Sequence, residues 1–218
     1  MMLQDKVVVV AGIGPGLGRA IALASAREGA DVVLAARTAS RLDEVAKEIA
    51  ALGRRALAVP TDLADAGAAA HLAEAAGEAF GRVDALVYNA LAMPPIKDLV
   101  AVDLAAIETS FDTNVVAALR LTRLFTPALA ESKGSVVMIN SMVVRYSQRR
   151  MGPYKLAKAA LLAMAQSLAT ELGPQVAVVP HADLPGRLPY YQHARVSPAG
   201  WRTRIAARQA AVAERMVG

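Results

Sequence analysis

The stretch that most constrains this chain is its first eighteen residues. Four consecutive valines, Val7–Val10, run through Ala11 into Gly12-Ile13-Gly14-Pro15-Gly16-Leu17-Gly18. An unbroken β-branched run belongs to a strand buried on both faces, as in a parallel sheet. Parallel neighbours need crossover connections, usually helices. Glycines directly after such a strand permit a tight turn. They also let a ligand's phosphate come close to the backbone, where the N–H groups that open the next helix receive it. The spacing Gly12-xxx-Gly16-x-Gly18 therefore predicts strand, anion-binding turn and helix in that order.

The pattern then repeats. A helix is predicted over Leu17–Glu28, stopped by Gly29, and a second buried strand over Asp31–Ala36. Ser40 is the expected cap of a helix running to Leu52, with Asp43 and Glu44 in its first turn and Gly53 as its stop. A short strand follows at Ala56–Val59, an Ala-rich helix at Asp65–Phe80 and a strand at Asp84–Asn89. One long helix is predicted over Leu104–Leu129, kinked near Pro127. Ser135–Asn140 is the fifth strand, Tyr154–Leu172 the next helix and Val176–Val179 the sixth strand. Strand and helix alternating at this spacing give right-handed crossovers. The fold class is α/β, a doubly wound parallel sheet (Rossmann-like) in a single domain.

Composition narrows the function. The chain has 218 residues, 55% of them apolar, which suits one α/β domain. It has no Cys and three His, which excludes disulfide scaffolds and thiolate nucleophiles and leaves no metal site to expect. Aromatic residues are only 4%, against stacking platforms for single-stranded nucleic acid. No apolar run reaches the roughly 18 residues of a membrane span. Met1–Lys6 carries Asp5 and passes straight into a strand, unlike a signal peptide, so the expected compartment is the cytoplasm. The net charge of +5 is uneven: residues 176–218 hold 6 Arg against 2 acids, and four of the 11 Pro. The basic character belongs to this tail and is no sign of nucleic-acid binding.

Two constellations carry chemistry. The first is the glycine turn, whose dimensions suit the pyrophosphate of a dinucleotide. Cofactor choice then lies at the end of the second strand, where an acid selects the ribose of NAD and an Arg admits the 2′-phosphate of NADP. That strand ends Leu34-Ala35-Ala36-Arg37, and Asp31 lies at its opposite end, so NADP is preferred over NAD. The second is Ser141, Tyr154 and Lys158. Ser141 follows the fifth strand at the carboxyl edge of the sheet, where ligands bind in this architecture. Tyr154 and Lys158 stand four apart and share a helix face. A cation beside a phenol lowers its pKa from about 10, so the phenol can exchange a proton with an alcohol or ketone at neutral pH.

Over roughly residues 4–175 the chain resembles the short-chain dehydrogenase/reductase family. The resemblance rests on AGIGPGLG at 11–18, Asp62-Leu63, YNAL at 88–91, Asn114, Ser141 and YKLAK at 154–158. It implies a nucleotide site built from Gly12, Ile13, Gly14, Gly16, Leu17, Gly18, Arg37, Asp62, Leu63, Asn89, Ala90, Tyr154 and Lys158, with Asp62 at the adenine. It implies a catalytic tetrad of Asn114, Ser141, Tyr154 and Lys158, in which Lys158 also binds the nicotinamide ribose and Asn114 holds a water. The chain departs from the family at Ala11, where a Thr is usual, and at Tyr88 and Leu91, which replace an Asn and a Gly. A Pro-Gly pair comes late, at Pro185-Gly186. No strand-like run follows Val179, although the spacing allows a helix over Arg202–Met216. The chain thus divides into a dinucleotide-binding and catalytic part, 1–175, and a divergent segment, 176–218, without a clear seventh strand.

The expected activity is hydride transfer between NADP(H) or NAD(H) and a small-molecule secondary alcohol or ketone. The alternative is a dinucleotide-binding protein that has lost turnover with its altered C-terminus. The family's helix-to-helix association further implies a homodimer or homotetramer, with no nucleic-acid or membrane partner.

Overall fold

The computed structural model describes residues 1–173 and 175–181. Six strands lie in one parallel sheet: β1 (Val7–Ala11), β2 (Asp31–Ala36), β3 (Ala56–Pro60), β4 (Ala85–Tyr88), β5 (Ser135–Ile139) and β6 (Ala177–His181). Their order is β3-β2-β1-β4-β5-β6, with every neighbouring pair parallel. The chain moves outward from β1 to β3, then returns to β4 on the other side of β1. The crevice between β1 and β4 is therefore the switch point at which doubly wound sheets bind ligands.

Side-chain alternation along the strands builds a core on each face. Val7, Val9, Val33 and Leu86 face one way, against Leu72, Leu121, Phe125, Leu129 and Leu161. These come from α3 (Ala66–Phe80), α5 (Ala117–Ser132) and α6 (Gly152–Leu172). Val8, Val10, Val32 and Leu34 face the other way, against Ala22, Leu23, Leu42, Val45 and Ile49. These belong to α1 (Leu17–Arg27) and α2 (Ala39–Ala51). Because β1 and β2 are covered on both sides, they read as valine runs rather than as alternating sequence.

Local punctuation acts largely as expected. The Asp65 carboxylate accepts from Ala68 N–H at 2.6 Å and caps α3, which Gly81 ends in the left-handed region at φ +68°. The start of α2 differs from expectation. Its cap position is Thr38, so Ser40 lies inside the helix and no acid falls in the first turn.

The long helix also differs. It opens as α4 (Leu104–Phe111) and passes through a π turn over Asp112–Val116 before continuing as α5. Ala117 N–H reaches back five residues to the Asp112 carbonyl. Pro127 lies within α5 without ending it. The interruption thus comes at Asn114, where tertiary hydrogen bonds hold the turn, and not at the proline. π turns of this kind often mark functional sites.

β6 lies past Gln175 and pairs with β5, so the sheet includes the first residues of the segment that composition set apart. The expected absence of a seventh strand, the late Pro-Gly pair and the helix at Arg202–Met216 fall outside the described residues. Among the described residues, no helix is long and apolar enough to cross a membrane.

Candidate active site

The turn after β1 is shaped by close approach. Gly12 has φ +105°, and a Cβ there would meet Ala90 N at 2.4 Å. A Cβ on Gly18 would meet the Gly12 carbonyl at 2.2 Å. Both glycines are needed because the turn is pressed against the segment that follows β4. Asn89 stitches the two together, since its Nδ2 donates to the Gly12 carbonyl at 2.8 Å. Ala90 is buried beside them. Gly14 is different: a Cβ there would meet nothing within 4 Å, so its face of the turn is open. Gly16 caps α1 with no side-chain acceptor, and the helix has no acid in its first turn. Ile13 anchors the turn in the core, while Leu17 is part-exposed. The result is a concave backbone surface at the positive end of a helix, which fits a pyrophosphate.

Arg37 and Asp62 stand at the carboxyl ends of adjacent strands. Thr61 N–H donates to the Ala36 carbonyl at 2.9 Å, which sets the two turns side by side. Both side chains are exposed, whereas Leu63 is buried in the core. Asp31 is at the far end of β2, where Arg54 pairs with it at 2.9 Å, so it lies away from this edge.

At the end of β5 the chain is fastened to α6. Asn140 Nδ2 donates to the Lys158 carbonyl at 3.0 Å, and the Asn140 carbonyl oxygen of the side chain accepts from Ser141 N–H at 2.8 Å. Lys158 Nζ donates to the Ile139 main-chain carbonyl at 2.8 Å. Ser141 is buried, and its Oγ accepts from Val143 N–H at 3.3 Å. Tyr154 is half-buried in the first turn of α6, one turn before Lys158.

Lys158 is only 3% exposed, and burial pushes its ammonium from the usual 10.5 down to about 8. Between those two values the unfolded chain binds a proton at this lysine that the folded chain releases. Stability should therefore rise with pH across that window, by a few kcal/mol at most. Denaturant titrations from about pH 8 to 10 check this: Lys158→Met should lack that part of the rise, and an unchanged slope would refute it.

Asn114 is fully buried in the π turn. Its Nδ2 donates to the carbonyls of Ala92 and Ser110, both at 2.8 Å, and its Oδ1 accepts from Ala92 N–H at 3.3 Å. The side-chain amide thus fastens the segment after β4 to the helix. A role for residue 114 in a water relay would fall to its main chain. The turn packs against α6, which brings it beside the helix that carries Tyr154 and Lys158.

Two supports were not read from the sequence as site residues. Asn140 reads in the sequence as the last residue of a strand, and nothing local signals that its amide fastens that strand to α6. Tyr88, noted only as a departure from the family, is 1% exposed and donates its hydroxyl to the Thr113 carbonyl inside the π turn.

The sequence matches the family model described as short chain dehydrogenase over residues 6–182. It is 42% identical over 188 residues to an uncharacterized oxidoreductase of Mycobacterium tuberculosis, covering 85% of this chain and 70% of that one. It is 34% identical over 197 residues to an L-rhamnose 1-dehydrogenase (NAD(P)(+)) of Azotobacter vinelandii, covering 86% and 75%. The fold superposes with a TM-score of 0.78 on the crystal structure of a short chain dehydrogenase from Burkholderia cenocepacia in complex with NADP. That match is 34% identical and covers 83% of this chain and 74% of the other. The chain belongs to the short-chain dehydrogenase family, and it is an NAD(P)-dependent oxidoreductase of that class.

Proposed function

We propose that this protein interconverts a secondary alcohol and a ketone with NADP(H) as its preferred cofactor. The observation that carries the reading is the juncture of β5 and α6. There a buried lysine stands one turn from Tyr154, and its bonds to Ile139 and Asn140 tie the helix to the strand end that leads into Ser141.

Gly12, Gly14, Gly16 and Gly18, with Ile13 and Leu17, would hold the pyrophosphate. Asp62 and Leu63 would border the adenine, Asn89 and Ala90 the adjoining ribose, and Lys158 the nicotinamide ribose. When bound, the nicotinamide supplies or accepts the hydride. The chain's own groups manage the proton. Ser141 donates its hydroxyl to the substrate oxygen. In reduction Tyr154 gives its phenolic proton to that oxygen as the carbonyl becomes an alcohol; in oxidation it takes the proton back. The Lys158 ammonium favours the phenolate and so brings the Tyr154 pKa toward neutrality.

Arg37 supports the choice of NADP, since its exposed guanidinium makes no ion pair among the described residues. Solved relatives carry either nucleotide, NADP in the Burkholderia dehydrogenase and NAD in the carveol dehydrogenase of Mycobacterium avium, and the rhamnose dehydrogenase's name allows both, so the preference rests on Arg37. NADPH should bind more tightly than NADH, and Arg37→Asp should erase or reverse the difference. Calorimetric titration checks both, and a wild-type preference for NADH would remove the argument from Arg37.

The reading also includes self-association. Leu104, Val116, Leu119, Leu124 and Leu156 are exposed along α4, the π turn, α5 and α6, which gives two helices an uncovered apolar surface. Small and apolar helix faces suit a two-fold interface. Light scattering on the full chain should report at least a dimer; a monomer would defeat this part of the proposal.

A further inference from the structure

We propose that Arg120 is a positioning residue for the adenine end of the nucleotide site, acting on Asp62 through two polarised peptide groups. The inference rests on the dinucleotide reading above.

Arg120 projects from α5, six residues after Asn114. Its Nη1 donates to two consecutive main-chain carbonyls, Leu63 at 3.2 Å and Ala64 at 3.0 Å. Each carbonyl shares a peptide plane with the N–H of the next residue. Those two N–H groups both turn to Asp62. Ala64 N–H donates to the Asp62 carboxylate at 3.1 Å, and Asp65 N–H donates to the Asp62 main-chain carbonyl at 3.1 Å. A cation on the oxygen side of a peptide strengthens what its N–H donates on the other side, because linked hydrogen bonds polarise one another. A charged donor also makes the stronger class of hydrogen bond. One guanidinium thus fixes Asp62 twice, by side chain and by main chain, without touching it.

The rest of the loop leaves this as the distinct anchor on the α5 side. Thr61 ties the loop to β2 through the Ala36 carbonyl, and Leu63 is buried in the core below. Asp62 itself is exposed, so its own surroundings provide little to orient it. The guanidinium also acts on the buried Tyr88 phenol, whose ionisation burial opposes and Arg120 favours. One helix then carries two fasteners: Asn114 for the segment after β4 and Arg120 for the segment after β3.

The test separates the two halves of the cofactor. Binding of 5′-ADP and 2′,5′-ADP reports the adenine end, and binding of reduced nicotinamide mononucleotide reports the other. On the full chain, Arg120→Met should weaken the adenine-end probes by about tenfold while leaving the mononucleotide unchanged. In an Asp62→Ala background the same substitution should cause no further loss, since the two act as one unit. Arg120→Lys, with its charge kept and one ammonium in place of the fork, should fall between. It serves as the deciding variant if Arg120→Met does not fold. Undiminished binding of the adenine-end probes overturns the inference, as does an equal loss of both halves or an additive loss with Asp62→Ala. A wild-type protein that binds none of the probes would instead remove the nucleotide reading on which the inference stands.

Discussion

Replacing Tyr154 with Phe should cut turnover by at least the roughly 10²–10⁴-fold of a general acid–base group. The ring stays, so packing in the first turn of α6 is kept, and only the proton donor is lost. Nucleotide affinity should change little, because Phe keeps the ring and most of the residues proposed to hold the cofactor are elsewhere on the sheet edge and at Lys158. Turnover and nucleotide dissociation constants measured on the same preparation check this. Unchanged turnover in Tyr154→Phe would mean that another group moves the proton. Lys158→Ala should damage both quantities, since the ammonium is assigned to Tyr154 and to the ribose.

The second large effect is expected in the glycine turn, where two positions should respond differently. Gly18 lies in the first turn of α1, where helix propensity alone would favour Ala by about 1 kcal/mol. Crowding should win, because the new Cβ would meet the Gly12 carbonyl at 2.2 Å and Asn89 Nδ2 at 2.9 Å. The first contact is backbone, so the whole turn must shift. Gly18→Ala should lose about 1–3 kcal/mol of stability, as overpacked sites do, together with most of its nucleotide affinity. Gly14→Ala meets nothing within 4 Å. It should keep full stability and still lose about tenfold or more in affinity, because the methyl would occupy space proposed for the pyrophosphate. Thermal melting and nucleotide titration of both variants check the pair. Wild-type affinity in Gly14→Ala would argue that the turn is structural only.

The sheet was legible in the sequence because strands covered on both faces must be apolar at every position. Residues 32–35, all apolar and buried, show this directly, and Gly29, Gly53 and Gly81 mark the ends of the helices between the strands. The π turn was not legible. No residue in Asp112–Val116 breaks a helical pattern, and the one breaker in the helix, Pro127, does not interrupt it. The turn is held from outside, by the bonds of Asn114 to Ala92 and of Tyr88 to Thr113. Such contacts join residues more than twenty positions apart and leave no local signature. The same holds for Arg120, which reads as an ordinary polar position on α5 until its two carbonyl partners are seen. The spacing of Ser141, Tyr154 and Lys158 was visible; the amide of Asn140 that fastens the strand end to the helix was not.

The central claim is that this chain moves a hydride and a proton at one carbon–oxygen bond. It is tested most directly with NADPH carrying deuterium at C4 of the nicotinamide, incubated with the full-length protein and a panel of ketones. Deuterium should appear on the carbinol carbon of at least one alcohol product, and Tyr154→Phe should abolish nearly all of it. A protein that binds NADPH yet transfers no deuterium to any member of a broad panel would contradict the account. It would favour a nucleotide-binding protein without turnover.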